Sequence, residues 1–166
     1  MNIWFFIILI VALALVLGPI SMLKPKPGQK RKENLRLHAS QKGVRYTLRR
    51  PPALATDIEQ TAPMPVYYIP PLTKSQMDNE WILMRTHYVH EGNFYQEWDW
   101  QTKTRPGDDA CQSLKRYLPD LPVSVIAISQ GSLGTCVFWS EREDKETLEL
   151  LIEMMEVLHK HASPPG

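Results

Sequence analysis

The chain has 166 residues, two cysteines, fourteen prolines and a formal net charge of +1. The spacing of the two cysteines matches no metal pattern, and two small buried side chains are the plainer reading. The total hides an asymmetry: through Arg50 ten Lys or Arg face one acid, Glu33, whereas beyond Arg50 nine face seventeen.

From Ile3 to Leu23 there is no charged residue, about the length a helix needs to span a bilayer core. Only Met1 and Asn2 precede this run, it exceeds a signal peptide's apolar region, and it lacks a small-x-small cleavage site. The sequence therefore predicts a retained transmembrane anchor over residues 1–23. Trp4 and Phe5 stand where interfacial aromatics sit, and Gly18 and Pro19 are breaks that membrane helices tolerate. Lys24, Lys26, Lys30, Arg31, Lys32 and Arg36 follow at once. By the positive-inside bias they hold the rest of the chain in the cytoplasm of a bacterial-type inner membrane. Facing anionic lipid, each contributes roughly 1 kcal/mol near the surface. In that compartment Cys111 and Cys136 are expected as reduced thiols.

Residues 24–43 form the expected basic juxtamembrane segment, with a short helix over Gly28 to Gly43. A domain over 44–162 and a tail over 163–166 complete the division. Val44 to Arg50 alternates as a strand, and Pro51 to Pro65 has no period and is expected as a loop. Val66 to Ile69, β-branched and aromatic between prolines, is predicted as a short edge strand. Leu72 to Glu80 is a connection or one helical turn. Trp81 to Val89 and Phe94 to Thr102 form a predicted hairpin around His90-Glu91-Gly92-Asn93. Asp108 or Asp109 then caps a helix carrying Ala110, Cys111, Leu114, Tyr117 and Leu118 on one face and ended by Pro119. Val123 to Ser129 and Thr135 to Ser140 give a second hairpin, its first strand apolar enough to be central. Finally, Lys145 to Ala162 carries Leu148, Leu151, Ile152, Met155 and Leu158 at helical spacing, broadened by Leu150, Met154 and Val157. Its start is either a capping box of Ser140 with Glu143 or a cap at Asp144. Strands, helix, hairpin and helix in that order predict an α+β domain with a mainly antiparallel sheet and about two helices on one face.

No stretch carries a complete catalytic or metal motif. His87-x-x-His90-Glu91 contains the right residue types, yet at a strand's period of two the histidines diverge and could share a metal only if the strand ends between them, and two His four apart on a helix are lacking. Ser132, in Ser129-Gln-Gly-Ser-Leu-Gly134, joins two strands and fits neither a nucleophile elbow nor a phosphate loop. Trp98-Asp99-Trp100 places two indoles on one strand face, suited to a covering helix or to a binding platform. Trp98 and Trp100 are the candidate interaction surface. No cofactor, no metal and no nucleic acid is expected. The expected partners are membrane lipid, through residues 3–23 and the basic segment, and a membrane protein of unspecified identity. The rival class is a membrane-tethered enzyme using His87, His90 or Ser132 with an acid such as Asp99.

The anchor, then Lys24-Pro25-Lys26-Pro27-Gly28-Gln29-Lys30-Arg31-Lys32-Glu33-Asn34 and Gln41-Lys42-Gly43-Val44, resembles the YajC family, accessory proteins of the bacterial Sec translocon. The resemblance covers about the first 45 residues. It implies a non-enzymatic inner-membrane protein lying beside SecD and SecF. The Gly-Asp-x-Val and Gly-Gly signals of that family do not follow Gly43, which precedes Val44 and Arg45. The chain beyond Pro51 is longer than the family's domain.

Overall fold

The computed structural model describes residues 2–22, 27–52, 61–86 and 88–162, with the side chains of 16–22 and of Ser75 set aside. The chain divides into two units, Met1–Asn34 and Leu35–Gly166. In the first, helix α1 runs over Ile3–Met22, and helix α2, Pro27–Gln41, begins. The large apolar side chains described on α1 are exposed, from Ile3 to Leu15. α1 lies where the sequence predicts a transmembrane helix, but among the described residues no helix is long and apolar enough to cross a membrane.

The second unit is an α+β fold with a six-stranded antiparallel sheet in the order β1-β2-β6-β5-β3-β4. The strands are β1 Arg45–Arg49, β2 Met64–Ile69, β3 Trp81–Arg85, β4 Trp98–Trp100, β5 Val125–Gly131 and β6 Gly134–Trp139. Three further helices, α3 Lys74–Asp78, α4 Asp108–Tyr117 and α5 Lys145–His161, bring the total to five among the described residues. The unit begins inside α2, because Leu35 and Ala39 are buried in its core. The basic segment therefore does not stay outside the domain as far as residue 43. Two apolar residues on one face of a polar helix are enough to recruit it. Gly43, at φ +79, then turns the chain into β1.

Alternation decides what each sheet face carries. Tyr67, Trp81, Leu83, Val137 and Trp139 point toward α4 and α5 and join Leu114, Leu148, Leu151, Met155 and Leu158 in the main core. Val66, Met84, Ala127, Cys136 and Phe138 form a smaller cluster on the opposite face. All six residues of β6 are buried, as expected of a strand covered on both faces. β5 is interior as predicted, although Val123 is exposed and lies before it. A bulge between Val125 and Ala127 breaks the alternation, so that Val125 and Ile128 face the helices while Ile126 and Ala127 face away.

Three expectations are corrected. β2 is not an edge: it pairs with β1 on one side and β6 on the other, and Pro65 needs no donor at its start, opposite Leu48. The predicted hairpin of nine-residue strands shrinks to β3 and β4. After Arg85 the Thr86 hydroxyl donates to the carbonyls of Tyr88 and Glu97, and Gln96 turns back at φ +48. The Thr86 amide still donates to the Glu97 carbonyl at 2.6 Å, and side-chain bonding to nearby carbonyls marks where the ladder ends. The cap of α4 is Gly107, with Asp108 and Asp109 inside the first turn where the helix dipole favours them. α5 uses the Asp144 cap, whose carboxylate accepts from the Thr147 amide at 3.3 Å. Glu143 is withdrawn from any capping box by accepting from the Trp139 indole at 2.6 Å and from the Ser124 hydroxyl.

Candidate functional site

The groups named for catalysis do not meet. His87 lies outside the described residues. His90 is exposed in the β3–β4 loop, its ring edge-on to Tyr88 at 5.0 Å. That loop leaves β3 at the end paired with Ala127, whereas Ser132 turns β5 into β6 at the end where Trp81 pairs with Gln130. His90 and Ser132 thus lie at opposite ends of the sheet. Because β3 stops at Arg85, His90 is on a loop, and the strand-face argument used to separate it from His87 no longer applies. Asp99 sits on edge strand β4, where its carboxylate accepts from the Trp100 amide at 2.8 Å. Among the described residues no three His, Cys, Asp or Glu side chains gather as metal ligands.

The thiols are poorly placed as nucleophiles. Burial pushes Cys136 up to about 11, and burial with nearby Asp108 raises Cys111, so both remain protonated at neutral pH.

Trp98 and Trp100 are not a surface platform. Trp98 is 1% exposed, beneath the Arg85 guanidinium at 4.7 Å, and Trp100 is half-buried against Trp81 at 5.7 Å and Phe94 at 4.8 Å. The shared face points into the main core, where indoles bury the most apolar area. Arg85 spans the strand end, donating to Glu97 at 2.6 Å and to the carbonyls of Val125, Leu121 and Pro122. Among the described residues the Trp98 indole N–H has no hydrogen-bond partner.

Of the basic set, Lys24 and Lys26 lie outside the described residues. Lys30 and Arg31 are exposed on α2 and Lys32 is half-buried. Arg36 does not face outward: it donates to Glu141 twice, Nε to Oε1 at 2.8 Å and Nη2 to Oε2 at 2.7 Å. Glu141 is fully buried, sits at φ +56 and also accepts from the Tyr67 hydroxyl at 2.7 Å. Burial, and then this bond to the carboxylate, hold the Tyr67 phenol far above its ordinary range, so it acts only as a donor. The hydrogen bonds to Glu141 outweigh partial burial and raise Arg36 further. The cluster is a structural clamp, with Arg36 also stacked 4.1 Å over the Tyr46 ring.

A second buried polar cluster explains α3. The Gln76 side-chain oxygen accepts from the amides of Leu72 and Thr73 at 2.6 and 3.3 Å, and its nitrogen donates to the His159 carbonyl at 3.3 Å. Gln130 donates to the Gln76 carbonyl at 3.1 Å and accepts from the Thr135 hydroxyl at 2.6 Å; that hydroxyl also lies 3.4 Å from His159 Nδ1. Gln130 forms part of the wall of a cavity of about 140 Å³ shared with Trp81, Arg105, Leu158 and His161. Four elements supply residues 76, 130, 135 and 159, which share no sequence motif that could have announced the cluster. The only legible signal was Thr73 with Gln76 three residues on, a capping-box spacing.

Burial lowers the pKa of His159. A depressed folded pKa means that neutral His159 favours the folded state above the unfolded pKa, and that this contribution is lost as pH falls through the folded value. The melting temperature should therefore fall on acidification from pH 7 to pH 5. In His159→Asn that part of the slope should disappear, as measured by thermal melts at each pH.

Compared with family models, with characterised proteins and with solved structures, the chain matches none.

Proposed function

We propose that the chain is a single-pass protein of a bacterial-type inner membrane. Its α+β domain would be a cytoplasmic, non-catalytic interaction module serving as an accessory subunit of a membrane complex. The observation that carries this reading is the run of exposed apolar side chains on α1 between Ile3 and Leu15, within a stretch free of charge as far as Leu23. Lipid is the solvent that such a surface favours. The basic residues behind it argue for retention of the domain in the cytoplasm. Within the domain, the polar groups with the best-defined geometry are occupied in structural bonds. The resemblance of the first 45 residues to the YajC family extends the proposal to the preprotein translocase as the complex served. A membrane-tethered enzyme would need His90 and Ser132 in one pocket, and their places at opposite ends of the sheet speak against it.

A reporter that is active only in the cytoplasm, fused after Gly166, should be active. A phosphatase that folds only in the periplasm should be silent at the same position. Replacing Lys24, Lys26, Lys30, Arg31 and Lys32 together by Gln should give mixed orientations. Phosphatase activity from the unsubstituted chain would reject the cytoplasmic placement.

A further inference from the structure

The half of α2 that belongs to the domain is attached mainly by charge. Between Leu35 and Lys42 only Leu35 and Ala39 are buried, and Leu37 is exposed. The remaining attachments end on two carboxylates. Glu141, in the β6–α5 connection, takes the Arg36 fork and the Tyr67 hydroxyl, with Tyr46 beneath the guanidinium. Glu149, on α5, takes His38 Nε2 and Lys42 Nζ, each at 2.5 Å. The two sites differ in their solvent. The Glu141 side chain is fully buried, whereas those of Glu149 and Lys42 are 37% and 42% exposed. Of these attachments the exposed Glu149 cluster is the one that salt can screen, and its contribution is small, whereas the buried Arg36–Glu141 fork is screened much less.

We propose that residues 35–42 form a charge-held latch that opens as a local unit while the sheet stays folded, with Glu149 as its releasable catch. Opening converts the stretch that leads into β1 from a docked helix into a free one, without breaking the β5–β6 core. The hydrogen bonds from Lys42 and His38 lower the Glu149 carboxyl below its ordinary range, as expected of a carboxylate held in its charged form. The positive φ of Glu141, on a residue with a side chain, places backbone strain at the other end of the same attachment. Local opening of segments with few buried apolar contacts is the general behaviour of folded domains.

The test is amide hydrogen exchange of the full chain in detergent micelles, in low salt and in about 1 M NaCl, where screening acts over roughly 3 Å. Amides of residues 35–41 should exchange about two- to fivefold faster in high salt, while those of β5 and β6 keep their rates. Glu149→Gln should show the faster exchange already in low salt and respond less to added salt. Equal acceleration of α2 and the sheet would overturn the proposal, as would an α2 indifferent to salt. A Glu149→Gln variant with wild-type protection and wild-type salt response would do the same. Glu149 is half exposed and outside the main core, so this substitution leaves the fold intact.

Discussion

Leu151→Asp should abolish the cooperative melting transition of the domain. Leu151 is fully buried in the middle of the α5 stripe, flanked by Leu148, Met154 and Met155, each fully buried as well. Truncating a buried leucine costs about 2–5 kcal/mol in lost transfer energy and cavity. The new carboxylate would lie among apolar side chains with no donor, which adds several kcal/mol or forces it to protonate. Together these consume most of the 5–15 kcal/mol that holds an ordinary domain folded. Circular dichroism melts of the full chain in micelles measure this directly, and Leu37→Asp is the control. Leu37 is 60% exposed on α2, so that substitution should shift the midpoint little. An unchanged midpoint for Leu151→Asp would mean that α5 is not packed on the sheet in solution.

Gly134→Ala should be nearly as damaging, for a reason that lies in the backbone. Gly134 opens β6 at φ +93, and a Cβ there would fall 2.0 Å from the Ile69 carbonyl oxygen and 2.8 Å from the Pro71 nitrogen. Both obstacles are main chain, so relief requires moving the end of β2 away from β6. Positive φ alone costs about 1–3 kcal/mol for a residue with a side chain, and the clash adds to it. We expect a loss of at least about 3 kcal/mol, a fall in Tm of roughly 10 °C for a domain of this size. Gly131→Ala is the informative comparison in the same turn. There the Cβ would meet only the Glu80 side chain, at 3.3 Å from Cγ, which can swing aside. Its cost should stay within about 1 kcal/mol. Similar Tm values for the two variants would show that the β2–β6 approach is looser than described.

Both residues were visible in the sequence, but only one announced its role. The helical spacing of Leu148, Leu151, Ile152, Met155 and Leu158 places Leu151 mid-stripe from the sequence alone. Gly134 read as a hairpin glycine, whereas its strict requirement comes from β2, whose end lies sixty-five residues earlier in the chain. The same division holds for the aromatic strand. Trp98 and Trp100 sharing a face followed from a period of two. That the face points into the core, under Arg85 and against Trp81, depended on β3 and on the packed helices.

The sequence by itself determined the α+β class, the two terminal hairpin strands, α5 with its apolar stripe, and the charge asymmetry, because periodicity and composition are local. Tertiary structure decided the rest. It placed β2 inside the sheet, ended β3 at Arg85, drew Leu35 and Ala39 into the core, and turned Arg36 from a basic flank into the partner of Glu141, 105 residues away. Such pairings are set by which surfaces must be buried together. No residue pattern within one segment records its partner in another, and a buried carboxylate such as Glu141 is legible only once the guanidinium that satisfies it is in place.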